Sequence, residues 1–251
     1  MRTKFVISVL ERILTTGVLN KNSSILAICA GEAERELFVN LGFTNVTLTS
    51  LDPSIVDHSG HPYVCALADA MRLPFENEDF DFVFVSDGLH HCDSPHGALI
   101  EMLRVSRVGI LVIESRDNLC MRIGIKLGLV QRYELSAVIA NNGTHGGVNY
   151  TDIPNFVYRW TEREFEKVVN CYLPWGASKF RYFYGLNIPN KRFNGMRGAF
   201  FSVSILFVKL FTLLFRKQGN TFAMMALRPN LSSGLFHWLR IDAGGVIKFK
   251  K

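Results

Sequence analysis

The stretch "ILAICAGEAERE", residues 25–36, decides the fold of this chain. An apolar run typical of a buried strand ends in a short turn around Gly31, and a charged, helix-forming run follows. A strand that passes through a small-residue turn into a helix is the usual start of a nucleotide-type binding site. Such turns usually contain two or three glycines, whereas this one contains a single glycine. The turn therefore either holds a ligand or only joins the strand to the helix.

The rest of the N-terminal half alternates strand and helix signals. Besides the strand at 24–30, the pattern predicts strands at 45–52, 63–69, 80–87 and 108–115 and helices at 34–42 and 94–106. Strands this apolar are covered on both faces, as in a parallel sheet flanked by helices. The sequence therefore predicts an α/β chain with a doubly wound, mostly parallel sheet.

The second half is less regular. A long loop is predicted at 141–155, and a helix at 161–172 begins with a capping box formed by Thr161 and Glu164. Strands are predicted at 179–188 and 221–229, and the most apolar segment of the chain, 197–217, lies between them. At its N-terminus the chain has a short amphipathic helix pattern rather than the features of a secretion signal.

The two parts of the chain have net charges of opposite sign. Residues 1–150 contain 12 basic and 17 acidic residues, a net charge of −5, whereas residues 151–251 contain 16 and 5, a net charge of +11. A basic, phenylalanine-rich second half favours an anionic partner. Nucleic acid is the less favoured partner, because no nucleic-acid-binding module is recognisable. The five scattered cysteines are typical of a reducing compartment, so we predict a cytoplasmic protein.

Acidic side chains end three of the predicted strands. Asp52, Asp69 and Asp87 each stand at the carboxyl end of a strand, the edge where an open α/β sheet binds its ligand. A carboxylate there can accept hydrogen bonds from both hydroxyls of a ribose, or from an adenine amino group. Asp87 has an alternative role as the cap of a loop. The three acids and Gly31 therefore predict an adenosine-binding site.

Together with "TSLD", "ADAMRLPFENEDFDFVFVSDGLHH" and "EMLRVSRVGILVIES", the opening stretch resembles the core of class I S-adenosylmethionine-dependent methyltransferases. The resemblance implies S-adenosylmethionine as the cofactor, with Asp52 on its ribose and Asp69 and Ala70 on its adenine. It places the methionine end against the first turn, comprising Cys29, Ala30, Gly31, Glu32 and Ala33. The first turn departs from the family, which usually has an acid at Ala27 and glycines at Cys29 and Ala33. Glu32 or Glu34 is predicted to replace the missing acid.

The resemblance also implies a single Rossmann-like domain over residues 1–251, with a seven-stranded sheet. Residues 1–118 would be the cofactor-binding core, and 221–229 would insert antiparallel to its neighbours. Helical insertions in the C-terminal half, 119–160 and 190–220, would cover the substrate side, and 230–251 would be a basic tail.

Histidines cluster in "HHCDSPH", residues 90–96, directly after the fourth predicted strand. The spacing of His90, His91, Cys92, Asp93 and His96 matches no metal-ligand pattern, so we predict no metal. In the family this loop lies where the methyl group is transferred. His90 or His91 is predicted to be a general base for an acceptor hydroxyl. The alternative is that both imidazoles only pack against the cofactor or a helix.

The acceptor follows from the basic, apolar second half. We predict a small acceptor that is acidic, a lipid, or a sugar on a lipid carrier. The segment 198–215, with basic residues on both sides, is predicted to pack on the domain or to contact an anionic membrane surface. Two other functions stay open: a catalytically silent methyltransferase-like binding protein, and, disfavoured by the missing glycines, a nicotinamide-dependent enzyme.

Overall fold

One sheet forms the centre of the computed structural model, which describes residues 2–56, 62–187, 208–231 and 233–250. Its seven strands are β1 Ile25–Ala27, β2 Val46–Ser50, β3 Val64–Leu67, β4 Phe80–Ser86, β5 Ser106–Ser115, β6 Lys179–Gly185 and β7 Thr221–Leu227. The helices are α1 Arg2–Leu14, α2 Glu32–Leu41, α3 Pro95–Val105, α4 Leu119–Lys126, α5 Leu135–Ala140 and α6 Glu162–Tyr172.

The strand order is β3-β2-β1-β4-β5-β7-β6. Strands β1 to β5 are parallel to one another, whereas β7 is antiparallel to both of its neighbours, β5 and β6. This order confirms the doubly wound, mostly parallel seven-stranded sheet and the antiparallel strand at 221–229. The strand order reverses between β1 and β4, so the carboxyl ends of these strands border the crevice where such sheets bind ligands.

Apolar side chains cover both faces of the sheet, which explains the continuous apolar strands. Within β1, Ile25 and Ala27 pack towards α1 and α2, whereas Leu26 packs with α3 and α6. The period of two along a strand sends alternate side chains to opposite faces. The amphipathic α1 buries one side of its surface against the first of these cores through Val6, Val9, Leu10 and Ile13.

The helix ends follow local signals in the sequence. α2 ends at Gly42, whose φ of 74° is the left-handed conformation that glycine adopts most readily. The side chain of Ser94 accepts the N–H of Gly97 at the start of α3, and the side chain of Thr161 accepts the N–H of Glu164 at the start of α6. The helices predicted at 34–42, 94–106 and 161–172 are therefore confirmed to within two residues.

The C-terminal half contains both predicted and unpredicted elements. The helices α4 and α5 lie in the predicted helical insertion at 119–160, whereas the predicted loop at 141–155 contains an unpredicted 3₁₀ turn, Val148–Tyr150. The predicted basic tail contains a hairpin of β8, Leu239–Ile241, and β9, Ile247–Phe249. Of the apolar segment 198–215, residues 198–207 lie outside the described residues, and 208–214 are helical. No helix in the described part of the chain combines the length and apolar character needed to cross a bilayer.

Candidate functional site

A cavity of about 340 Å³ lies at the carboxyl ends of the parallel strands. We call it the cofactor cavity. It brings together seven of the residues that the sequence assigned to cofactor binding: Cys29, Ala30, Gly31, Asp52, Asp69, Ala70 and Asp87. Residues of the 141–150 segment form its outer wall, among them His145, Asn149 and Tyr150. Its size lies within the usual range for small-ligand sites.

Asp52 follows β2 and is held by two donors. Its Oδ1 accepts the N–H of Ser54 and the hydroxyl of Tyr150, each at 2.9 Å. Burial would raise the pKa of Asp52, but these hydrogen bonds outweigh it and lower the pKa below its ordinary value. Asp52 therefore carries a negative charge on the cavity wall, as an acceptor for ligand hydroxyls must.

Asp69 stands in the connection after β3. Its Oδ1 accepts the N–H of Met71 at 2.8 Å, which fixes the carboxylate next to the buried Ala70. The structure thus places Asp52 and Asp69 on one cavity although 17 positions separate them in the sequence.

The first turn keeps a glycine-type backbone although the sequence has few glycines there. Cys29 has a φ of 50°, in the left-handed region that side chains rarely adopt. A Cβ added to Gly88 would lie 2.5 Å from the Cβ of Cys29, so Gly88 provides the space that Cys29 occupies. A Cβ added to Gly31 would meet only the Glu34 carboxylate, at 3.9 Å. The wall at Gly31 is therefore open enough for a ligand to approach the backbone.

The acids that follow Gly31 have different positions. Glu34 lines the cofactor cavity, and its Oε2 accepts the N–H of Gly31 at 3.0 Å. Burial raises the pKa of Glu34. Glu32 instead pairs with Arg35, and both Glu32 and Ala33 are exposed. The prediction that Glu32 and Ala33 line the cavity is therefore corrected: the first turn of α2 directs Glu34, not these two, towards the ligand side.

A second cavity of about 420 Å³ adjoins the first, and we call it the acceptor cavity. Asp87 and His91 line both cavities, so they form the wall between them. The other lining residues come mainly from the insertion at 119–160 and from the segment around β7: His90, Ser115, Met121, Leu129, Val130, Gln131, Glu134, Val157, Arg159, Asn187, Asn220 and Thr221. Asp87 has a φ of 55°, so its backbone is strained at the point where the cavities meet.

His90 is held between two carboxylates. Its Nδ1 lies 2.8 Å from Oε2 of the buried Glu114, and its Nε2 lies 3.1 Å from Oε2 of Glu134. A carboxylate can only accept, so both ring nitrogens donate and the imidazole is charged. Burial opposes this charge, but the attraction and hydrogen bonds of Glu114 and Glu134 raise the pKa of His90 to about 9. Without a lone pair His90 cannot take a proton, and this geometry argues against its predicted role as a base.

His91 is the more accessible imidazole. Its Nε2 lies 3.4 Å from Oε2 of Glu134, and its side chain is 30% exposed. Hydrogen bonds from His90 and His91 hold the pKa of Glu134 well below its ordinary value. The pair of histidines is thus divided into a buried, charged His90 and a His91 that faces both cavities.

The other polar side chains of the 90–96 segment lie apart from His90 and His91. His96 lies 3.0 Å from Glu164, and Asp93 interacts with Asn149. His90, His91 and Glu134 do place donor atoms within 4.8 Å of one another, close enough for a cation to use. The hydrogen bonds of a charged imidazole between carboxylates account for the same spacing, and we interpret the cluster in that way.

The charged His90 predicts a pH-dependent stability. Because its pKa is raised from 6.5 to about 9, its contribution is complete below about pH 6.5 and is lost as the pH rises through 9. A pKa difference of this size corresponds to about 3 kcal/mol. We expect His90→Gln to lower the free energy of unfolding by about this amount at pH 6.5 and to flatten its decrease towards pH 9. Urea unfolding at pH 6.5, 7.5 and 9 measures this, with the exposed His237→Gln as the control.

Sequence reasoning missed four side chains of the site, three that line the cavities and the buried Glu114 behind His90. Glu114 ends β5, so the rule that found Asp52 could have found it. Glu134, Tyr150 and Arg159 lie in the insertion, where no periodic pattern indicates which side chains return to the sheet. Only the three-dimensional path of 130–160 brings them to the site.

Comparison with known protein families gives a match in the N-terminal half of the chain. Residues 26–113 match the sequence profile of the family described as "Methyltransferase domain". Residues 26–113 of this chain therefore resemble a methyltransferase domain, as the strand order of the sheet also suggests. Among the alternatives that the sequence left open, this match favours a methyltransferase with S-adenosylmethionine as its cofactor over a nicotinamide-dependent enzyme. The comparison with curated proteins gives no match.

Solved structures support the fold of this methyltransferase. The YcgJ protein from Bacillus subtilis has a TM-score of 0.53 at 12% identity, covering 88% of this chain and 98% of that chain. Magnesium protoporphyrin IX methyltransferase from Synechocystis PCC 6803, with bound S-adenosylhomocysteine, has a TM-score of 0.52 at 12% identity, covering 90% and 83%. The PH0226 protein from Pyrococcus horikoshii OT3 has a TM-score of 0.52 at 14% identity, covering 89% of each chain.

The cofactor cavity fits this cofactor. It offers a carboxylate after β2, a second one after β3, and an open backbone at Gly31. These features match a ribose, an adenine and an amino-acid end, respectively, in chemistry and in order along the sheet edge.

Proposed function

We propose that the enzyme transfers the methyl group to a small acceptor that occupies the acceptor cavity. The observation that carries this proposal is the shared wall: Asp87 and His91 line both cavities. A cofactor in one cavity and an acceptor in the other would come together at these residues. Bringing the reactants together contributes most of the rate enhancement in a direct displacement.

We further propose how the chain holds the cofactor. Asp52 accepts the ribose hydroxyls, Asp69 and Ala70 contact the adenine, and Cys29, Ala30, Gly31 and Glu34 contain the methionine end. S-adenosylmethionine supplies a methyl group on a positively charged sulfur. The carboxylate of Asp87, at the junction of the cavities, favours a cation there.

His91 is our proposed general base. When the acceptor is a hydroxyl, its proton must leave as the new oxygen–carbon bond forms, and His91 is the imidazole that reaches both cavities. His90 and Glu134 position it: the charged His90 orients Glu134, which in turn contacts His91 Nε2.

The acceptor is proposed to be attached to a lipid. Six exposed apolar side chains of the insertion form what we call the insertion surface: Leu119, Ile123, Leu127, Leu129, Leu135 and Ile139. Leu129 also lines the acceptor cavity, so the insertion surface reaches the mouth of that cavity. α4 contacts the basic turn Arg216–Gln218 through a hydrogen bond from Cys120 N to Gln218 Oε1. An apolar surface beside basic residues is typical of proteins that bind anionic membranes from one side.

One experiment tests both parts of the proposal. The enzyme is incubated with methyl-labelled S-adenosylmethionine and either soluble saccharides or saccharides anchored on polyprenyl lipid in anionic vesicles, which are then floated. We expect label on a saccharide, preferentially on the anchored form, and enzyme in the floated fraction at low salt. Label on neither class of acceptor would contradict the proposed substrate, and label without flotation would contradict only the membrane contact.

Matched variants separate the insertion surface from general stickiness. The pair Ile123→Asp and Leu127→Asp is expected to reduce flotation by at least about tenfold, because two apolar groups are lost and two repulsive charges are gained. Val39→Asp introduces the same type of charge at an exposed apolar position of α2 and should float like the unmodified enzyme. Equal flotation of all three proteins would show that the insertion surface is not the contact.

A further inference from the structure

Arg159 brings a positive charge to the wall of the acceptor cavity. It lies in the connection before α6, and backbone carbonyls fix its guanidinium: Nη1 donates to Val157 O at 3.0 Å and Nη2 donates to Gln131 O at 2.7 Å. Burial lowers the pKa of Arg159 below its ordinary value, but an arginine remains protonated at neutral pH. The cavity therefore contains a fixed, partly desolvated cation.

The guanidinium of Arg159 has N–H groups that the two carbonyls do not use. A guanidinium has five N–H donors, of which the two carbonyls use one on each Nη. One further N–H on each Nη remains, and Nε, which is covered by protein, has no acceptor within the described residues. Two N–H groups in one plane are the arrangement that binds a carboxylate or phosphate at two points.

No carboxylate of the described residues neutralises Arg159 in an ion pair. Asp117 is the nearby acid, but it pairs with Arg122 through both of its oxygens. Glu134 lines the same cavity and is occupied by His90 and His91. Neutral carbonyls alone compensate the cation poorly once water is removed from it. Closing the acceptor cavity over a neutral ligand would therefore be unfavourable at Arg159.

We infer that the acceptor carries an oxyanion, a carboxylate or a phosphate group, which Arg159 binds while the methylated atom faces His91. The inference rests on the proposed function, since it concerns the ligand of the same cavity. Arg159 and His91 reach the cavity from different segments of the chain, Arg159 from the insertion and His91 from the loop after β4. An anion on Arg159 would thus fix which end of the acceptor reaches the methyl group.

Binding of matched sugars to the enzyme loaded with S-adenosylhomocysteine tests the inference. Calorimetry compares glucose, glucuronate and glucose 1-phosphate, so that the two anionic probes distinguish a carboxylate from a phosphate. We expect at least one anionic sugar to bind about 10-fold or more tightly than glucose, as a charge-assisted two-point contact provides. Arg159→Gln should reduce this preference to less than about twofold, and Arg159→Lys should retain part of it.

Arg163→Gln is the control, because Arg163 is exposed, lies on α6 and does not line the cavity. It should keep the full preference. Equal binding of all three sugars, no binding of either anion, or a preference that survives in Arg159→Gln would each overturn the inference. Binding of S-adenosylhomocysteine is measured in the same samples. If the unmodified enzyme does not bind S-adenosylhomocysteine, the proposed function is contradicted. If it binds S-adenosylhomocysteine but shows no preference for anionic sugars, only the inference about Arg159 is contradicted.

Discussion

Replacing Asp52 with alanine is expected to weaken the binding of S-adenosylhomocysteine by at least about 100-fold. The carboxylate stands on the wall of the cofactor cavity, and its lowered pKa keeps it charged. Two ribose hydroxyls that donate to one carboxylate form two charge-assisted hydrogen bonds, and alanine removes both. Isothermal titration calorimetry with the unmodified enzyme and Asp52→Ala measures the difference directly.

Two further variants make this result interpretable. Asp52→Asn keeps the shape of the side chain and one acceptor oxygen, so its affinity for S-adenosylhomocysteine should lie between those of the unmodified enzyme and Asp52→Ala. Asp79→Ala removes an exposed acid outside the cavity and should bind like the unmodified enzyme. Asp52→Ala should also unfold at nearly the same temperature, since the donors it releases, Ser54 N and the Tyr150 hydroxyl, can turn to water. An affinity within about threefold of the unmodified value would contradict the role of Asp52.

Strand ends were the part of the site that sequence reasoning could place. Asp52, Asp69 and Asp87 were identified because parallel strands bring their carboxyl ends to one edge, whatever the intervening sequence is. The same rule, applied to β5, covers Glu114. Local signals also fixed the helices: Ser94, Thr161 and Gly42 act on backbone groups within four residues of themselves.

Helical phase limited the prediction of the first turn. Glu32 and Glu34 are two positions apart, so they point in different directions around the helix. The sequence admitted either acid as a replacement for the missing one at Ala27. The structure distinguishes them because Gly31 N–H reaches Glu34, while Glu32 is drawn to Arg35 on the exposed side.

Contacts between distant segments limited the prediction of the acceptor side. Glu134 meets His90 across 44 positions, and Tyr150 meets Asp52 across 98. The insertion that supplies Glu134 and Tyr150 has short helices and several residues with positive φ, among them Asn142 and Asn149. Its path is set by tertiary contacts rather than by a periodic pattern, so the insertion residues that line the two cavities could not be identified from the sequence.

The different environments of His90 and His91 could also be determined only from the structure. In the sequence His90 and His91 are equivalent candidates for a base. In the 3₁₀ turn Leu89–His91, however, the ring of His90 is buried between two carboxylates, whereas the ring of His91 faces both cavities. The buried ring is stabilising because it is charged, and a base must be uncharged before it acts.

His91→Gly is therefore expected to lower the rate of methyl transfer to a hydroxyl acceptor by about 10²–10⁴-fold. Affinity for S-adenosylhomocysteine should change little, because the residues proposed to grip the adenosine lie elsewhere in the cofactor cavity. The rate is followed as the formation of S-adenosylhomocysteine with the acceptor found by the labelling experiment. His237→Gly, at an exposed position, is the matched control.

Chemical rescue distinguishes a base from a packing residue. His91 lines both cavities, so glycine at this position leaves a space that opens on them. Added imidazole can enter that space, contact Glu134 as His91 does, and accept the proton. A rise in the rate of His91→Gly with imidazole concentration, without a change in His90→Gln, is expected. Two results would contradict the role of His91 as a base: an unaltered rate in His91→Gly, or a lowered rate that imidazole does not restore while cofactor binding is intact. Desolvation and positioning of the reactants would then account for catalysis.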